Sequence, residues 1–228
     1  MNKLQRYVRE QFGRPRGPLG QLAGHIMASR SSNVERNRWT VDLLNLDPDA
    51  RVLELGYGPG VGIEAALQAA PDGQVIGIDH SPTMRAAAIR RNRRAVRSGR
   101  AQLLIGDAQN PPDLGPFDAI FGCNVWLFWP DPTATLRRLK GLLAANGLLA
   151  ITQLPRTGAP GPAETQAEAA LIETQMRQAG LAVLGSQYLH LEPTPAVCVT
   201  GQRSDHHDVT VMDRAASSPA LPTSPIHH

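Results

Sequence analysis

Short apolar runs alternate with amphipathic stretches through the middle of this chain. Arg51–Leu55, Gln74–Ile78, Gln102–Ile105, Asp118–Phe121 and Leu148–Thr152 have strand length and nearly continuous apolar character. Between them, Gly60–Ala70, Thr83–Arg97 and Pro132–Ala145 carry apolar residues at helical spacing. Near-continuous strands separated by helices predict a parallel sheet covered on both faces. A further helix is predicted over Ala163–Ala179. After it, Leu181–Leu191 and Ala196–Gly201 are close enough to form an antiparallel hairpin across Pro193–Pro195. The predicted fold is therefore α/β: a Rossmann-like, seven-stranded, mostly parallel sheet with helices on both faces and an antiparallel terminal strand.

The flanks differ from this middle. Residues 1–48 are polar and basic, with helical pieces at Leu4–Gln11, Leu19–Ala28 and Val34–Leu46. They predict an N-terminal helical cap, ahead of a main domain over residues 49–203. Residues 204–228 are rich in Ser, Pro, Ala and His. Such a segment buries too little apolar surface to offset its ordering entropy, so a disordered tail is expected. The Asp205-His206-His207-Asp208 cluster sits there without a scaffold, and no metal site is expected.

With 228 residues, 42% of them hydrophobic and 19% charged, the chain suits one compact domain. The two cysteines, Cys123 and Cys198, form neither a disulfide framework nor a metal pair. No apolar run approaches the roughly 20 residues of a membrane span, and the N-terminus has no signal-like apolar stretch, so a cytoplasmic location is expected.

The chemistry concentrates at Val52–Gly60, VLELGYGPG. A buried strand runs through Glu54 into Gly56, Gly58 and Gly60, which turn the chain into a helix. Glycines allow that turn and let a ligand approach the backbone, and the helix start offers free N–H groups. Asp79 follows at the end of the second strand, about 20 residues on, where a carboxylate suits two ribose hydroxyls. Nicotinamide-dinucleotide sites share this much. Their fingerprint wants glycine where this chain has Val61, and here a further carboxylate, Asp107, closes the third strand in Gly106-Asp107-Ala108.

With these motifs in order (ELGYGPG, GIDHSPTM, GDA, FDAIFGCNVWLFWPDP and LKGLLAANGLLAIT), the sequence resembles the class I S-adenosylmethionine-dependent methyltransferases of small-molecule type. The resemblance spans roughly residues 35–203 and implies S-adenosyl-L-methionine as cofactor and a small-molecule acceptor. It implies that Gly56, Gly58 and Gly60 pack on the methionine part, with Glu54 ordering the loop and the ammonium. Asp79 holds the ribose, His80 and Met84 flank the adenine, and Asp107 with the Ala108 N–H meets the adenine edge. Asn124, Val125 and Trp126 line the gap between cofactor and acceptor. His25, Tyr57, Trp126 and Trp129 fall to the acceptor side. Tyr57, where a small residue is common, either narrows the pocket or leans outward.

Methyl transfer from a sulfonium needs in-line positioning first, and a base only for some acceptors. His25, His80, Asp131, Tyr188 and His190 are candidate bases, and no catalytic residue is assigned. Nucleobase chemistry lacks its motifs: the segment after the fourth strand reads Asn124-Val125-Trp126-Leu127, and Cys123 follows Gly122 rather than proline. The basic run Arg85–Arg100 raises RNA or protein as alternative acceptors. Yet Arg90, Arg93, Arg94 and Arg97 lie opposite an apolar arc, as a solvated face would. A cofactor-binding module without catalysis is the other alternative.

Overall fold

The computed structural model describes residues 31–155, 161–192 and 194–203. The predicted helices at 4–11 and 19–28, His25, and the tail from residue 204 lie outside them. Seven strands form one sheet in the order β3-β2-β1-β4-β5-β7-β6. They are β1 (Arg51–Leu55), β2 (Gln74–Asp79), β3 (Ala101–Ile105), β4 (Phe117–Cys123), β5 (Leu143–Gln153), β6 (Ala182–Leu189) and β7 (Ala196–Gln202). β1 to β5 pair in parallel, and β7 inserts antiparallel between β5 and β6. The helices are α1 (Ser31–Asp42), α2 (Val61–Ala69), α3 (Pro82–Arg91), α4 (Arg93–Arg97), α5 (Pro132–Leu142) and α6 (Pro162–Gln178). No helix among the described residues is long and apolar enough to cross a membrane.

Alternate strand positions feed two apolar layers, as the pleat requires. Leu53, Ile76, Ile120, Leu149, Ile151 and Val199 meet Leu136, Leu139, Ile172 and Met176 of α5 and α6. On the other face Val52, Val75, Phe121 and Ala150 meet Ile63 and Ala66 of α2, Ala88 of α3, and Val41 and Leu44. The last two place α1 and the turn after it in the body of the domain.

Two elements depart from the predicted pattern. The Thr83–Arg97 helix breaks at Asn92, whose buried amide donates to Gly60 O at 3.0 Å and Ala88 O at 3.1 Å. The Pro132–Ala145 helix stops at Leu142, and β5 begins at once, because Leu143 already pairs with Phe117. A bulge then absorbs the excess, with Asn146 in the left-handed region, before pairing resumes at Leu148.

α1 is fastened at one polar point. The Thr40 hydroxyl donates to Arg36 O at 2.8 Å, 2.6 Å from the Thr152 hydroxyl and 3.4 Å from Cys123 Sγ. A hydroxyl has one proton, so Thr152 and the Cys123 thiol must donate to Thr40. Replacing Thr40 by valine should cost about 1–3 kcal/mol, since it leaves buried donors without an acceptor. A urea-unfolding midpoint unchanged in this variant would show that the fastening is not where α1 is held.

Candidate active site

On the face covered by α1 to α3, the apolar row of each central strand ends in a polar residue at the carboxyl edge. Val52 leads to Glu54, Val75 to Asp79, Phe121 to Cys123 and Ala150 to Thr152. β1 lies between β2 and β4, so this edge is the crevice where strand order reverses and α/β sheets take ligands.

The glycine loop is held from several sides. Gly56, Gly58 and Gly60 have φ of 66°, 49° and 80°, a region costly for other residues. Asp79 Oδ2 accepts from the Gly58 N–H at 2.9 Å, and Oδ1 from the Ser81 N–H at 2.8 Å. Val125 closes on Gly56, where a Cβ would come within 2.5 Å of its Cγ1. Gly60 is packed as tightly on Ala88 and Asn92. At Gly58, by contrast, a Cβ would meet nothing nearer than Gly56 O at 4.0 Å, so that flank of the loop is open.

Glu54 is 2% exposed and its Oε2 has no hydrogen-bond partner. A Cβ on Gly62 would overlap its carboxyl group and come within 2.9 Å of Asn37 Oδ1, so α1 and α2 close around it. Burial raises its pKa well above the ordinary 4.5, the Asp79 charge adds to this, and the Ile63 N–H opposes it. Burial also pushes the Cys123 thiol up to about 11. Together with its donor role toward Thr40, this makes it a protonated structural thiol rather than a nucleophile.

Of the residues assigned from sequence, Glu54, Gly56, Gly58, Gly60, Asp79, Asn124 and Val125 converge on this edge. Asn124, at φ 58°, accepts from the Leu154 N–H at 2.9 Å through Oδ1 and ties β4 to β5. Met84 is buried at the start of α3, and His80 is exposed beside it. Asp107 is exposed and accepts from the Gln109 N–H at 2.9 Å, with Ala108 half-buried between.

Three of the residues expected on the acceptor side are buried in the fold. Tyr57 neither narrows an opening nor leans outward: it is 2% exposed, rests on Gly77 and donates to Leu104 O at 3.0 Å. Trp126 and Trp129 are 4% and 6% exposed in the α5–α6 layer, their rings 5.6 Å apart. A 3-10 turn over Trp126–Phe128 rolls both indoles inward and leaves Phe128 outside. The candidate bases are dispersed. Asp131 caps α5, Tyr188 is half-exposed on β6, and His190 lies 3.2 Å from Glu192 on the surface.

Arg36, Asn37, Thr40 and Asn92 were missed as site residues. The signal was available: Asn33, Asn37 and Val41, like Arg36, Thr40 and Leu44, share one helical face, whose polar end adjoins the site. Asn92 likewise continues the buried row Met84, Ala88.

Residues 52–147 match the family described as methyltransferase domain. The chain is 28% identical to the uncharacterized methyltransferase YdaC of Bacillus subtilis strain 168, over 80% of this chain and 98% of that one. It is 36% identical to trans-aconitate 2-methyltransferase of Methylobacterium nodulans, over 53% of this chain and 45% of that protein, so it spans about half of that relative's length. Geranyl diphosphate methyltransferase, solved in complex with S-adenosylmethionine, superposes with a TM-score of 0.61 at 13% identity, over 86% of this chain and 94% of that one. The central part of this chain, residues 52–147, is thus similar to a methyltransferase domain.

The raised pKa of Glu54 has a stability consequence. The folded form keeps a proton that the unfolded chain has released, so stability falls as pH rises from about 4.5 toward the raised value. Glu54→Gln should flatten that fall, and the ligand-free variant should melt higher than native protein at pH 8. Thermal unfolding between pH 4 and pH 9 measures this; parallel native and variant curves would exclude Glu54 as the source.

Proposed function

We propose that this protein takes a methyl group from S-adenosylmethionine and places it on a small, polar acceptor between α1 and the carboxyl ends of β4 and β5. The observation that carries this is the Glu54 carboxyl, buried with a vacant oxygen beside a glycine loop that is open at Gly58. A cationic ammonium beside an open backbone fits that pair. Asp79 uses one lone pair on each oxygen for the loop and keeps others for vicinal hydroxyls. In this reading His80 and Met84, past the end of β2, and Asp107 and Ala108, past the end of β3, meet the adenine.

The bound cofactor supplies a methyl group on a positively charged sulfur, a leaving group needing no further activation. The protein's task is then to align donor and acceptor and keep water out. Asp131, Tyr188 and His190 are engaged or distant, Cys123 is protonated, and His80, exposed past the end of β2, is taken here for the adenine. This arrangement suits an acceptor already ionised at neutral pH, such as a carboxylate. The relatives named trans-aconitate 2-methyltransferases support a small acidic acceptor.

The basic run supports RNA less than its count implies. Arg85 donates to Leu103 O at 2.9 Å, Arg91 pairs with Glu64 at 3.0 Å, and Arg100 holds the carbonyls of Leu67, Ala70 and Gly73.

Methyl-labelled cofactor offered with pooled organic acids, RNA and protein tests the assignment. Label should enter the low-mass fraction. Label in RNA or protein would overturn the small-acceptor reading, and cofactor binding without any transfer would leave a non-catalytic module. Asp79→Asn should lower cofactor affinity by roughly 1.5–3 kcal/mol, the worth of a charge-assisted hydrogen bond. Calorimetry showing native affinity would mean that the ribose lies elsewhere.

A further inference from the structure

β4 and β5 end side by side, and a chain of hydrogen bonds joins their ends. The Asn124 N–H donates to Thr152 O at 2.8 Å, and the Leu154 N–H returns to Asn124 Oδ1 at 2.9 Å. Gln153 Nε2 then donates to Leu154 O at 3.3 Å. Leu154 is thus held at its N–H by one side-chain amide and at its carbonyl by another. That carbonyl needs a donor, which fixes how the Gln153 amide lies: nitrogen toward Leu154 O, oxygen away from it.

The oxygen is unused. Gln153 is fully buried, and its Oε1 has no hydrogen-bond partner among the described residues. It alternates with Leu149 and Ile151 along β5 and lies opposite Val197 of β7, three residues of the apolar layer under α5 and α6. The fold gains nothing from an amide oxygen there. A buried acceptor without a donor costs free energy that leucine or methionine would avoid. Gln153 also closes β5 at the edge where the candidate site lies. Asn124 leads into Val125, which closes on Gly56 of the glycine loop. Only β4 separates β1 from β5, so Gln153 and that loop are two strand spacings, roughly 10 Å, apart.

We propose that Gln153 determines specificity for the acceptor, its Oε1 accepting a hydrogen bond from a hydroxyl group that the acid carries. This rests on the small acidic acceptor proposed above and narrows it to a hydroxy acid. A carboxylate has no proton to give a neutral amide oxygen, and one such oxygen in an apolar layer does not offset the desolvation of an ammonium. A hydroxyl meets both conditions. A site built on a buried acceptor rejects an analogue without the donor, because the acceptor is then left unpaired.

Labelled S-adenosylmethionine offered with matched acids tests this. Malate, succinate and aspartate share one four-carbon diacid skeleton that carries a hydroxyl, a hydrogen or an ammonium. Citrate and tricarballylate differ only in the hydroxyl. Native protein should methylate malate or citrate with a kcat/KM at least tenfold above the counterpart lacking the hydroxyl, and aspartate no better than succinate. Gln153→Met should lose that preference, bind S-adenosylhomocysteine as native protein does, and melt no lower. Equal use of both members of a pair by native protein, or a preference that survives in Gln153→Met, would overturn the assignment. So would a preference for aspartate. Loss of S-adenosylhomocysteine binding in Gln153→Met would make Gln153 a cofactor or fold residue and end the proposal. Label entering none of the acids would take down the acidic-acceptor reading, and this subsite with it. That result is distinct from the others, since in each of them at least one acid is methylated or the variant alone fails.

Discussion

The carboxylate of Asp79 is the point from which the rest of the site is set. It accepts one N–H from the glycine loop and one from the start of α3, and so joins the ends of β1 and β2 through a single side chain. Those two donors satisfy the carboxylate oxygens of a residue only 6% exposed. Its charge then acts on Glu54, which has only the Ile63 N–H in its favour. Two carboxyl groups at one strand edge are thereby driven apart in character, one a fixed anchor and the other held in reserve. Asn92 completes the frame by holding Gly60 from below.

Strand order and the glycine loop were legible in the sequence because they depend on backbone periodicity and on where glycine is required. The five parallel strands, the α6 helix and the terminal hairpin occupy their expected positions to within a few residues, apart from the early start of β5. Side-chain direction was the weak point. Tyr57 sits between two glycines whose left-handed backbone turns its ring under β2 and β3, a consequence of φ that no residue pattern displays. Trp126 and Trp129 are expected on the acceptor side because they follow a strand end, yet the 3-10 turn over Trp126–Phe128 carries both indoles into the α5–α6 layer.

The polar residues of α1 were overlooked for a related reason. Polarity on a helix normally marks the solvent side, and here it marks the side facing the ligand edge. Arg36, Asn37 and Thr40 lie in register with Val41 and Leu44, so the apolar stripe does not end but changes chemistry. The arginines after Met84 show the converse. Seven appear in sequence as one basic block, yet Arg85, Arg91 and Arg100 are spent on carbonyls and on Glu64.

The burial of Glu54 in the ligand-free protein also bears on how fast the site can fill. A group 2% exposed cannot meet an incoming ammonium until the side chains and backbone around it, Asn37 and Gly62 among them, draw back. Association then has two steps, and at high ligand concentration its observed rate levels off at the rate of that opening rather than climbing with diffusion. Dissociation is slowed by the same barrier. A spent cofactor would therefore leave slowly, and turnover under saturating conditions would be set by how often this corner of the protein breathes.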